Sequence, residues 1–258
     1  MKQRCIKIFG IMLTFALIFS PLAMAHEFII KPVSMAPEAG EKLPFSVISA
    51  HVFMVSEEME PLDQVEVNLI RGETKKNVNL VENPTLMTLD GIVNLKDQGT
   101  YILCGHRKGM LWTQTTQGWK QAGKKGLSGV ISSGKYEKFC KVLVNAGESD
   151  EGYGQVIGHD LEIIPMENPA DMKVGDEARF KIMFKGAPLS TKVYATYDGF
   201  SRHPNTYAYF TETDENGVGV VTIHHEGRWM VRVENKMETK TEDYDTHAFR
   251  AVLVFDIQ

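Results

Sequence analysis

From Phe28 to the C-terminus the chain is cut into short runs rich in Val, Ile, Phe and Tyr, bounded by Gly, Pro, Asn and Asp. Neither half sustains an apolar period near 3.6 over a dozen residues, so helix should be minor and the expected fold class is all-β. Residues 28–30, 43–52, 65–70, 77–81, 100–104 and 138–144 read as strands of a first half, and 161–164, 178–184, 192–197, 207–211, 219–224, 229–234 and 248–256 as strands of a second.

The halves rhyme. Pro37-Glu38-Ala39-Gly40-Glu41 before Phe45 parallels Lys173-Val174-Gly175-Asp176 before Phe180, Pro61 parallels Pro188, and Gly99-Thr100-Tyr101 parallels Gly227-Arg228-Trp229. A nearly constant offset across three landmarks predicts two copies of one plan. We expect two immunoglobulin-like or prealbumin-like β-sandwich domains in tandem, at 26–147 and 158–258, joined by a polar linker at 148–157.

The first 25 residues read differently. Lys2, Arg4 and Lys7 precede an apolar run that ends before Pro21, and Ala23-Met24-Ala25 supplies a small-x-small step, which together predict a cleaved secretory signal. Cys5 lies ahead of the apolar run, so a lipid anchor at the cleavage point is not expected, and the mature protein is placed free in the periplasm. Cleavage after Ala25 would remove three of the 28 basic residues and none of the 33 acidic ones, taking the formal charge from −5 to −8. That balance argues against a nucleic-acid partner.

Processing at Ala25 would also make His26 the first residue. An α-amine and an imidazole on one residue form a bidentate nitrogen chelate, which no internal histidine can offer. The other seven histidines all lie in the mature chain: His51 closes an inner strand, His106 follows Cys104-Gly105, and His224-His225 precedes Gly227. Nitrogen-rich, thiolate-poor sets suit Ni²⁺, Co²⁺, Cu²⁺ and Zn²⁺. His26 and His51 are the expected ligands, with His106 as a third.

Catalytic signatures are missing. There is no nucleophile elbow, no phosphate-cradling loop and no H-E-x-x-H, so the chain is not expected to be an enzyme. Cys104 and Cys140 both sit in strand-like runs. In an oxidising compartment a bridge between them is expected, adding about 3–4 kcal/mol by loop entropy, with two buried thiols as the alternative. Between His106 and Lys135 a basic island with Trp112 and Trp119 contains no acidic residue. It is expected to be a loop that docks a partner or rests solvated on the sandwich.

A resemblance joins these readings. Gly158-His159-Asp160-Leu161-Glu162-Ile163-Ile164-Pro165, Gly175-Asp176, Thr213-Asp214-Glu215-Asn216-Gly217 and Gly227-Arg228-Trp229 resemble the second half of the periplasmic nickel/cobalt uptake components, a domain-of-unknown-function family associated with energy-coupling-factor transporters. In the first half the likeness extends to the mature amino-terminal His26, to His51-Val52-Phe53 and to Trp112-Thr113-Gln114-Thr115. Family members commonly have Gly where this chain has Ala50, and many carry a His where it reads Val233-Glu234-Asn235, which moves weight away from the second half. The resemblance implies a periplasmic nickel- or cobalt-binding protein serving such a transporter, the metal being cargo. The alternative is a structural or carbohydrate-contacting module whose Trp112 and Trp119 stack on a ligand.

Overall fold

The computed structural model describes residues 26–257, so the expected signal peptide lies outside the described residues. The first half forms β1 (Glu27–Pro32), β2 (Lys42–Ala50), β3 (Val65–Arg71), β4 (Thr74–Val78), β5 (Val81–Asn83), β6 (Thr88–Asn94), β7 (Gly99–Thr115), β8 (Gly118–Lys120) and β9 (Val130–Ala146). The second forms β10 (Leu161–Pro165), β11 (Glu177–Phe184), β12 (Ala187–Pro188), β13 (Lys192–Tyr197), β14 (Tyr209–Glu212), β15 (Val218–Thr222), β16 (Gly227–Glu238) and β17 (Thr246–Ile257). Among the described residues helix is confined to three short 3-10 turns. The protein is nearly all β.

The repeated plan is visible in the pairing. A small sheet of order β1-β2-β6-β5 matches one built on β10-β11-β15, and β9-β7-β3-β4 matches β17-β16-β13-β14. The two halves do not stand as separate sandwiches, because β17 pairs with β9 in parallel and fuses their larger sheets into one of nine strands. Joining equivalent strands in parallel relates the halves by a rotation about the strand direction. Such a rotation turns one half over, so the two small sheets cover opposite faces of the shared sheet.

Side chains follow this geometry. Tyr101, Leu103, Cys140, Val142, Val144, Val252 and Val254 join the core under the first small sheet, while Ile102, Cys104, Phe139, Leu143, Ala251 and Leu253 join the core under the second. Alternate residues of one strand therefore enter different cores, which is why β9 from Lys138 onward reads as an almost unbroken buried run rather than an alternating one.

The same alternation corrects the expected disulfide. Cys104 lies opposite Lys141 while Cys140 lies opposite Gly105, one position along, so the two side chains leave the sheet on opposite faces. Both are free and buried. Burial raises the thiols, Cys104 to about 11 and Cys140 to about 12, and the Cys140 sulfur accepts a hydrogen bond from the Ile30 amide at 3.3 Å. The processed, native chain is expected to leave a thiol-specific chromogenic reagent unreacted at pH 8 and to release two equivalents once unfolded in guanidinium, both cysteines being buried. A single fast native equivalent would show that one thiol reaches solvent.

The basic island is not a loop. β7 runs on to Thr115 and returns through β8 and the first part of β9, forming a long arm. Three of its lysines are matched within the fold: Lys108 meets Glu66 at 2.8 Å, Lys125 meets Glu242 at 2.7 Å, and Lys124 pairs with Asp245. A β-bulge between Arg107 and Met110 gives β7 one residue more than β9 over this stretch. The bulge shifts the alternation, so Met110 and Trp112 come round to the face that carries Arg107.

Candidate metal centre

Antiparallel pairing of β1 with β2 sets Glu27 opposite Ala50, which brings the residues just beyond, His26 and His51, together at one end of the first small sheet. After His51 the chain reverses through Met54, whose φ of 65° lies in the left-handed region. Its carbonyl accepts from Lys31 Nζ at 2.9 Å. The return is pinned where Glu57 N donates to Ser49 O at 2.9 Å and Glu58 bridges Ser49. Glu57 is thereby placed beside both histidines.

The three side chains form one cluster. His51 Nδ1 is 2.9 Å from Glu57 Oε2, His26 Nε2 is 3.6 Å from the same oxygen, and His26 Nδ1 is 3.1 Å from Glu58 Oε2. The imidazole centroids are 3.8 Å apart. His26, His51 and Glu57 each offer a ligand atom within 4.8 Å of the others, and no other three described His, Cys, Asp or Glu residues do so.

Protonation favours the ligand forms. Burial, then the neighbouring His51, lowers the pKa of His26 and outweighs the pull of Glu58 and Glu57. For Glu57 burial opposes ionisation, but hydrogen bonds from the His51 ring and from the His51 and Val52 amides, at 2.9 and 3.2 Å, hold the carboxyl below its ordinary range. Neutral imidazole and ionised carboxylate are the states a divalent cation requires.

His106 is not part of this cluster. It is one position from Arg107 on β7 and so faces the other side of the shared sheet, stacked on Phe139 at 4.8 Å with Nε2 2.7 Å from Glu137 Oε1. His247 holds the second oxygen of Glu137 at 3.0 Å. The two histidines thus share a carboxylate without converging on one point. Glu57 is the residue that sequence reasoning missed: its signal is an acidic pair in the polar stretch Val55-Ser56-Glu57-Glu58, directly after an inner-strand histidine.

The second half carries a different pair at the equivalent place. There Leu161 faces Phe184, so the residues matching His26 and His51 are Asp160 and Lys185, an exposed ion pair at 3.9 Å. A larger surface recess of about 650 Å³ at the far end of β7, lined by Arg71 and Asp150, brings no ligand set together.

A family profile described as a domain of unknown function, DUF4198, matches residues 23–237 and so spans His26, His51 and Glu57. The chain belongs to the DUF4198 family. No curated protein matches this DUF4198 chain in sequence. Among solved structures it is similar to the D0-D1 domain of Intimin, at 12% identity over 90% of this chain and 98% of that one, with a TM-score of 0.22. It is also similar to the full ectodomain (Ig1–Ig3) of mouse nectin-like molecule 4, at 12% identity over 90% of this chain and 65% of that one, TM-score 0.22. The Escherichia coli adhesin FdeC follows at 10% identity over 86% and 63%, again with a TM-score of 0.22. Scores this low say nothing about what the DUF4198 chain binds.

Proposed function

We propose that the protein is a periplasmic binding protein for a divalent transition metal of the nickel/cobalt type, serving uptake by a membrane transporter. The observation that carries this reading is the convergence of His26, His51 and Glu57 within 4.8 Å. Two imidazoles and one carboxylate suit borderline cations, and they suit Mg²⁺ or Ca²⁺ poorly because those prefer all-oxygen sets. Nickel and cobalt are favoured over copper and zinc by the resemblance of the second half to nickel/cobalt uptake components. Cleavage after Ala25 adds the His26 α-amine, which closes a chelate ring only with Nδ1; because Nδ1 faces Glu58 and Nε2 faces Glu57, a chelated metal shared with His51 and Glu57 requires the His26 ring to turn over.

Titration calorimetry of the processed protein tests the proposal. One equivalent of Ni²⁺ or Co²⁺ is expected to bind and Mg²⁺ to give no heat; equal binding of Mg²⁺, or no binding of either borderline metal, defeats it. The pH dependence has a definite sign. Protons compete with the metal, so affinity rises between about pH 5 and pH 8 as imidazole and then an α-amine with a pKa near 8 are freed. Because His26 is lowered, its ring is already neutral near pH 7. The upper part of the rise therefore belongs to the amine, and it should vanish in a variant with one Ala inserted ahead of His26. An unchanged profile in that variant would leave the three side chains as the whole site.

A further inference from the structure

A cavity of about 260 Å³ opens directly beside His26. Arg107 and Lys138, paired across β7 and β9, lie at its base with Glu60 between them: Lys138 Nζ is 2.9 Å from Glu60 Oε1, and Arg107 Nε is 3.7 Å from Glu60 Oε2. The Ser49 hydroxyl donates to Glu60 Oε1 at 3.1 Å. Met110, Trp112 and Tyr136 wall one side, Trp119 of β8 contributes a second indole, and His26, Glu58 and Pro61 also line the cavity. The bulge in β7 is what brings Met110 and Trp112 to this face.

Two buried cations share one buried carboxylate at the base, while the other lining carboxylate, Glu58, is exposed and lies 3.1 Å from the His26 ring. A buried cation without a full counter-charge costs free energy, so an anionic group that reaches this pair is worth seeking. A second shortage lies next door. Ni²⁺ or Co²⁺ takes more ligands than three side chains and an amine provide, and the cavity reaches the metal cluster at His26.

We infer that this cavity receives a small organic chelator that accompanies the metal, a carboxylate-bearing molecule with a flat or apolar body. The inference rests on the metal-binding reading above. The carboxylate meets Arg107 and Lys138, where charge-assisted hydrogen bonds are strong, and the body lies against Trp112, Trp119 and Tyr136. Its donor atoms complete the coordination sphere on the side of His26. A neutral sugar would leave the surplus cation unmatched. The volume is just below the range of about 300–1,000 Å³ usual for small-molecule sites, so the ligand is the size of an amino acid or a pyridine carboxylate.

The test uses the processed full chain with Ni²⁺ alone, picolinate alone, and both, read by native mass spectrometry and tryptophan fluorescence. A ternary complex of protein, nickel and picolinate is expected, with quenching that requires both components. Trp119→Ala, a half-exposed position on the short β8, should bind Ni²⁺ alone as the parent does and lose at least tenfold in ternary-complex formation. Lys138→Met, provided it keeps the parent's circular dichroism, should do the same. If nickel binds but picolinate only strips it away, or the ternary complex forms equally well in Trp119→Ala, the cavity assignment is overturned and the metal reading stands. If nickel alone does not bind the parent protein, both fall together.

Discussion

Glu162→Ala lowers the free energy of unfolding by about 3–5 kcal/mol, the largest stability loss expected from a single polar residue in this chain. Glu162 on β10 holds Lys141 Nζ from β9 at 2.5 Å, and both side chains are almost fully buried, at 2% and 3% exposure. Glu162 also accepts from the Ile157 and Gly158 amides at 2.8 and 3.0 Å, while Lys141 donates to Gln155 O at 3.1 Å. One ion pair thus fastens the second small sheet and the segment between the halves onto the shared sheet. Burial lowers the pKa of Lys141, with Glu162 acting in the opposite direction. Removing the carboxylate leaves a buried ammonium with no counter-charge and two amides without their acceptor, whereas the double replacement Lys141→Met with Glu162→Leu leaves no uncompensated charge and should recover most of the loss. Urea unfolding followed through Trp229, which lies in the same core, measures the difference. Equal destabilisation by the single and double variants would mean that packing, not the stranded charge, sets the cost.

On the proposed nickel reading, His51→Ala is expected to weaken binding by roughly 100-fold or more, because loss of even a residue that only supports a ligand typically costs 10–100-fold in metal affinity. Glu57→Gln should fall in the same range, since it removes the charge while keeping the shape. His106→Ala should bind as the parent does, because its ring stands on the other face of the shared sheet against Phe139 and Glu137. Circular dichroism separates loss of a ligand from loss of the fold. Retention of parental affinity in His51→Ala, or its loss in His106→Ala, would move the site away from the end of β1 and β2.

The fold was legible in the sequence where local pattern decides it. Most strands of both halves were visible as β-rich runs, and the constant offset between landmarks corresponds to two halves with matching strand order. What escaped the sequence was non-local or disguised. β6 reads Thr88-Leu89-Asp90-Gly91-Ile92-Val93-Asn94, which resembles a turn, yet a Cβ at Gly91 would fall 2.3 Å from the ring of Phe45. The glycine is there for that close approach. The parallel union of β9 with β17 carries no local signal at all, because both strands look equally apolar whether or not they meet.

The candidate site divides along the same line. His26 and His51 were legible as candidate ligands because an expected cleavage point and an inner strand each mark one of them, and the register of β1 with β2 brings them together. His106 was misplaced by a single strand position, the difference between the two faces of a sheet. Glu57 required knowing where the chain turns after His51, which depends on hydrogen bonds back to Ser49. The arm bearing Trp112 and Trp119 read as a loop because its strands are polar and rich in glycine, and only the bulge aims the indoles at the cavity beside His26.

Anomalous diffraction at the nickel edge, from crystals of the processed protein grown with one equivalent of Ni²⁺, addresses the metal site most directly. The account predicts one dominant peak within about 2.2 Å of a ring nitrogen of His26 and of His51, with a carboxylate oxygen of Glu57 also in the coordination sphere. A dominant peak at His106, Glu137 and His247, or a fully loaded crystal with nothing between His26 and His51, would contradict it.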